Sequence, residues 1–169
     1  MILSLLSAHL APSIVAASLF AGIVPAPQAT PASDPALVEK KVAEVSGWTV
    51  NAVTVDGQYV RCAATPPAAV DIAAALEKST EGWTLLIPSA APGDEVKGRI
   101  EVDGKAAKST FYRMDDERLG TFLKDGQIKA MRTAKVLTVV IGPEQTKLPL
   151  EGISAVLTAL AACDKKGGA

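Results

Sequence analysis

Cys62 and Cys163 are the only two cysteines in the chain, and His9 is its 1 histidine. The cysteines do not form a Cys-x-x-Cys motif, and neither has a neighbour placed to lower its pKa, so redox chemistry is not expected of them. Arg61, next to Cys62, should point to the other face of a strand. Two readings stay open for the pair: a long-range disulfide, or two free buried thiols that pack as small hydrophobes. His9 lies in an apolar leader, so the rest of the chain has no imidazole. That removes Ser-His-Asp and Cys-His nucleophilic catalysis, zinc sites built on histidine, and a general base titrating near neutrality. Carboxylates remain, at Asp94-Glu95 and at Asp115-Asp116-Glu117. A paired-carboxylate hydrolase is therefore the enzymatic alternative, although a turn and a helix start account for the same residues. Gly93, Gly98 and Gly104 are spaced as turn residues, not as a phosphate cradle. No Asp-x-Asp-x-Asp-Gly calcium loop occurs. No catalytic residue, metal or cofactor is assigned.

Binding is the other chemistry the residue types allow. Tyr59, Arg61, Tyr112 and Arg113 fall on expected strands that lie next to one another. Alternation places Tyr59 with Arg61 on one face, and Phe111 with Arg113 on one face. Whichever of those faces the helices leave uncovered is the expected binding surface. A secreted enzyme inhibitor is a further alternative, with Ser89-Ala90-Ala91-Pro92-Gly93 as its reactive loop. Trp48 and Trp83, each at a strand start, are expected as core or rim anchors.

The elements that position these residues follow from turn signals and periodicity. Gly47-Trp48-Thr49-Val50 returns as Gly82-Trp83-Thr84-Leu85, and Val55-Asp56-Gly57 returns as Val102-Asp103-Gly104. Asp-Gly after a β-branched run is a strong hairpin signal. Strands are expected over 48–55, 58–64, 83–87, 96–102, 107–114, 136–141 and 147–150. A helix is expected from Pro66 to about residue 79, capped by Thr65, with Ala69, Ile72, Ala73 and Leu76 on one face. A second should follow Asp115 or Asp116, with Leu119, Phe122 and Leu123 on one face; Asp125-Gly126 should stop it, and a helical turn should follow over 128–132. The last should run over 152–163, where Ile153, Val156, Leu157 and Leu160 form one stripe that Cys163 continues. The expected class is α+β: an antiparallel sheet with two or three helices, which could be three strand-strand-helix units. A Cys62–Cys163 bond would then tie an early strand to the last helix.

The organisation around this domain is simple. Residues 1–24 carry no Lys, Arg, Asp or Glu, and 13–24 have the length of a secretory h-region, so a signal peptide or apolar leader is expected there. Residues 25–35, rich in Pro and Ala, are an extended linker. Residues 36–169 are the single globular domain, long enough to bury a core. With 17 basic against 18 acidic residues the net charge is −1, and no basic cluster marks a nucleic-acid partner.

Gly47-Trp48-Thr49-Val50, Cys62, and the run from Leu148-Pro149-Leu150-Glu151-Gly152-Ile153 to Leu160 together resemble the invasion-associated locus B family of small exported bacterial proteins. The resemblance implies a β-rich fold ending in a short strand and an Ala-Leu-rich helix. It also implies a periplasmic or envelope location and a non-enzymatic role in stress or host contact. It assigns no catalytic residues. The chain lacks the further early cysteines of that family and has an Ala-rich stretch over 66–78. The functional expectation is an exported, non-catalytic envelope or periplasmic binding or adaptor protein. Its partner would be a protein or envelope component, and it would meet a membrane only through an uncleaved leader.

Overall fold

A computed structural model describes residues 36–169. The leader at 1–24 and the linker at 25–35 lie outside the described residues. The chain forms β1 (Leu37–Val45), β2 (Trp48–Val55), β3 (Gln58–Thr65), β4 (Ala75–Ser79), β5 (Gly82–Pro88), β6 (Glu95–Val102), β7 (Lys105–Arg113) and β8 (Arg118–Leu123). α1 (Asp125–Met131), β9 (Val136–Ile141), β10 (Glu144–Pro149) and α2 (Ile153–Lys165) complete it. The strands make one 10-stranded sheet in the order β1-β2-β3-β4-β5-β8-β7-β6-β9-β10, with antiparallel neighbours throughout.

This corrects the α+β class expected from the sequence. The fold is nearly all-β, with two short helices of 7 and 13 residues. Of two expected helices, one is turns followed by a strand and the other is a strand. Residues 66–74 form no helix; they descend through close turns, with Ile72 N–H donating to Val70 O at 2.7 Å and Ala74 N–H to Ile72 O at 2.8 Å. β4 then slots between β3 and β5, where Leu76 is fully buried. Alanine's helix preference is worth only tenths of a kcal/mol per residue. Burying Leu76 contributes about 1.5–3 kcal/mol, and β4 gives β3 and β5 their main-chain partners as well, so the strand wins. Residues 118–123 likewise pair with β5 over six register positions. Leu119 and Leu123 enter the core while Phe122 faces out, a period of two where the spacing had suggested a helix. Asp125-Gly126 opens α1 instead of stopping a helix.

Hairpin chemistry holds the frame. Asp56 and Gly57 have φ of 51° and 77°, and Asp103 and Gly104 have 46° and 79°, the left-handed pair that a two-residue hairpin loop demands. Each aspartate also clamps a neighbouring strand. Asp56 accepts from Ala36 N–H at 3.0 Å at the head of β1. Asp103 accepts from Lys135 N–H at 3.0 Å and Val136 N–H at 3.1 Å at the head of β9.

One face of the sheet is apolar from β2 to β10, from Trp48 and Val50 through Leu85 and Phe111 to Leu137 and Leu148, and these belong to a single core cluster against which β1 packs Val42, Ala43 and Val45. Strands at both ends of the order share that core, so the sheet curls around it. α2 packs into the same cluster through Ile153, Val156, Leu157 and Leu160. Cys62 on β3 and Cys163 on α2 are joined by a disulfide with their Cα atoms 6.2 Å apart and a sequence separation of 101.

Candidate functional site

Among the described residues both helices pack into the core, and alternation decides what stands on the outer face of β7 and β8. Strand β7 buries Phe111 and turns Thr110 and Tyr112 outward. Strand β8 buries Leu119 and Leu123 and turns Gly120 and Phe122 outward. Tyr112 is 44% exposed, Met114 54%, Phe122 58% and Val60 37%. Such a grouping of large apolar side chains on an open surface marks an interaction site more often than scattered exposure does. Gly120 makes the arrangement possible: a Cβ there would lie 2.8 Å from Cγ of Met114 and 2.9 Å from Cδ2 of Leu86. Its absence lets Met114 lie flat on the sheet.

Two depressions share Tyr112, Thr121 and Phe122. The larger, about 900 Å³, runs over β6 and β7 past Lys97, Arg99, Lys108 and Lys124. The smaller, about 450 Å³, runs toward Val60, Arg61 and Glu77. Their electrostatics differ. Among the described residues no Asp or Glu lines the larger one. Lys97 pairs with Glu95, and Arg99 pairs with Glu101 at 2.6 Å. Lys108 and Lys124 have no ion-pair partner among the described residues. In the smaller depression Arg61 Nε donates to Glu77 Oε1 at 2.7 Å, with side chains 30% and 12% exposed, and Glu81 adds a second carboxylate, so its lining is net acidic.

Sheet pairing changes beneath the larger depression. β7 pairs with β6 from Lys105 to Tyr112, but with β8 only at Tyr112↔Gly120 and Arg113↔Leu119. Past that point the two strands diverge. Thr121 closes the start of the gap: its hydroxyl donates to Thr110 O at 2.8 Å and accepts from Ser109 Oγ at 2.8 Å.

Of the four residues expected at a binding surface, the structure brings Arg61 and Tyr112 together on the outer face and places Tyr59 and Arg113 elsewhere. A β-bulge separates Tyr59 from Arg61. The register runs Val53↔Arg61 and then Thr54↔Tyr59, so Val60 is the extra residue and one alternation is lost. Tyr59 therefore turns toward α2, where its hydroxyl donates to Asp164 Oδ1 at 2.8 Å and lies 3.3 Å from Cys62 Sγ. Burial first, and then the hydrogen bond and negative charge of Asp164, push its phenol pKa well above the ordinary value. Lys78 completes this cluster, 3.2 Å from Asp164 Oδ2 and 5.8 Å from the Trp83 ring centroid. Arg113 reaches back to Ser89 O at 3.2 Å and to Ala91 O. It thus pins the 89–93 loop, which Ser89 Oγ also ties to Glu144 Oε2 at 2.6 Å.

None of the five carboxylates expected at a catalytic pair lines either outer depression. Asp94, Glu95, Asp116 and Glu117 are exposed. Asp115 accepts from Arg118 Nε at 2.8 Å and from the N–H groups of Glu117 and Arg118. The hydrogen bond from Arg118 is the main reason its pKa is lowered, opposite to what a general acid needs. Sequence reasoning missed Val60, Met114 and Phe122. For Phe122 a signal existed: read at period two, Leu119-x-x-x-Leu123 leaves Phe122 on the other face.

No family model matches the chain, and no curated protein matches it in sequence. Among solved structures, the fold is similar to the crystal structure of invasion associated protein B from Bartonella henselae. The TM-score is 0.51 at 17% sequence identity, over 76% of this chain and 98% of that one. At that identity the likeness is one of fold.

Proposed function

We propose that this chain is an exported, non-catalytic binding or adaptor domain of the bacterial envelope, periplasmic or secreted, and a distant relative of invasion associated protein B. The observation that carries the reading is the uncovered outer face, where Tyr112, Met114, Phe122 and Val60 stand exposed around two connected depressions. A monomer that needs only solubility gains nothing from such a face. The disulfide supports an oxidising compartment, since such bonds persist in secreted and periplasmic proteins. The likeness of fold supports the relationship.

The test is site-directed photo-crosslinking in the native envelope. A photoreactive amino acid in place of Phe122 should give one saturable adduct. The same group in place of Lys129, exposed on α1, should give none. No adduct at 122, or the same adducts at both positions, would refute the reading.

A further inference from the structure

The divergence of β7 from β8 exposes a strand edge inside the sheet. The β6–β7 hairpin has a two-residue loop, so Val102 and Lys105 form its first hydrogen-bonded pair. Alternation then aims the N–H and C=O of Ala106, Lys108 and Thr110 away from β6. Two observations fix the phase independently: Arg113 N–H donates back to Asp94 O at 2.8 Å, and Met114 N–H donates across to Arg118 O at 3.1 Å. The Thr110 carbonyl is taken by Thr121. The main-chain groups of Ala106 and Lys108 have no strand partner among the described residues. Those of Phe122, on the facing side of the gap by the same alternation, have none either.

We propose that the free edge of β7 takes an extended acidic peptide segment as an added strand. This rests on the binding reading above and names its partner. A row of unmet main-chain donors and acceptors calls for another main chain, because β-addition draws affinity from the ladder and specificity from alternate side chains. Charge selects the sign. The depression beside this edge is lined by Lys97, Arg99, Lys108 and Lys124 without a carboxylate, and Lys108 and Lys124 have none to neutralise them. Side chains of the added strand that face outward would meet these lysines and, at one end, the exposed ring of Phe122.

The test is fluorescence polarisation on the full chain with a labelled peptide of about six residues, a usual strand length, alternating Glu and Val. Three forms are compared: unmodified, N-methylated at alternate amides, and with Lys for Glu. The unmodified acidic peptide should bind saturably. The N-methylated form should bind at least about tenfold more weakly, and Lys108→Glu with Lys124→Glu should cost about tenfold, the equivalent of one charge-assisted bond. The Lys form should not bind. Ala106→Pro provides a second variant. It deletes a donor that points away from β6, where proline is tolerated, and it should weaken the peptide while leaving Tm unchanged. No saturable binding of the acidic peptide would overturn the proposal. So would equal binding of the N-methylated form, equal binding by the variants, or preference for anionic phospholipid vesicles over the peptide. If the peptide fails while the crosslink at 122 persists, the binding reading stands and the strand-addition proposal falls. If both fail, both fall.

Discussion

Replacing both cysteines, Cys62→Ala with Cys163→Ala, removes the cross-link without leaving a lone thiol. The bond spans 101 residues, and the loop-entropy relation for that length gives about 4.7 kcal/mol at 25 °C. Docking of α2 has a separate source. Ile153, Val156, Leu157 and Leu160 are each at most 1% exposed, and burying four such side chains contributes roughly 6–12 kcal/mol. The variant should therefore stay folded at room temperature, with native far- and near-ultraviolet circular dichroism. A domain of this size loses about 3–4 °C of Tm per kcal/mol, so Tm should fall by roughly 15 °C. Thermal denaturation of the oxidised protein, the reduced protein and the variant separates the contributions. The first two differ by the covalent link alone. The reduced protein and the variant differ by the space the sulfurs fill beneath Tyr59. A shift below about 5 °C on reduction would refute the loop-entropy account, for it would mean a denatured chain already compact. Loss of the fold at room temperature would refute the claim that the apolar stripe suffices to dock α2.

Two further outcomes follow from side-chain geometry. Tyr59 has its phenol pKa raised in the fold, so the stabilisation it provides is complete below the unfolded value of about 10 and drains away as pH rises toward the folded value. Tm should fall more steeply from about pH 9 to about pH 11 in the native chain than in Tyr59→Phe, and parallel profiles would show that the contact contributes nothing. Asp103→Gly keeps the positive-φ turn but deletes the acceptor of two N–H groups; it should cost about 1–3 kcal/mol, read as a lower urea midpoint at unchanged m, while Asp103→Asn should recover most of it. An unaltered midpoint in Asp103→Gly would show that the clamp is idle.

What the sequence disclosed depends on how local the cause is. The Asp56-Gly57 and Asp103-Gly104 turns, the strands flanking them and the apolar stripe of α2 are set by residues within a few positions, and they lie where the pattern places them to within two residues. The cysteine pair was legible as one of two outcomes. β1 was not, because Leu37–Val45 is a largely exposed edge and so carries no alternation to read. β4 and β8 were misread because an Ala-rich run, and Leu119 with Phe122 and Leu123, satisfy helical spacing, and only the partners β3, β5 and β7 decide otherwise. Half of the candidate surface was reachable. Arg61 and Tyr112 follow from alternation, but the bulge at Val60 that sends Tyr59 inward leaves no mark in composition.

The disulfide has a topological consequence too. Together with the backbone it closes a covalent ring that contains β4 to β10, α1 and most of α2. A single proteolytic cut anywhere between Cys62 and Cys163 opens the ring but frees no fragment, because the two pieces remain joined through sulfur. β1, β2, the first half of β3 and the residues after Cys163 hang outside it and can be clipped away. Dismantling the part that holds the β7–β8 gap therefore takes two cuts within the ring, or a cut together with a reductant.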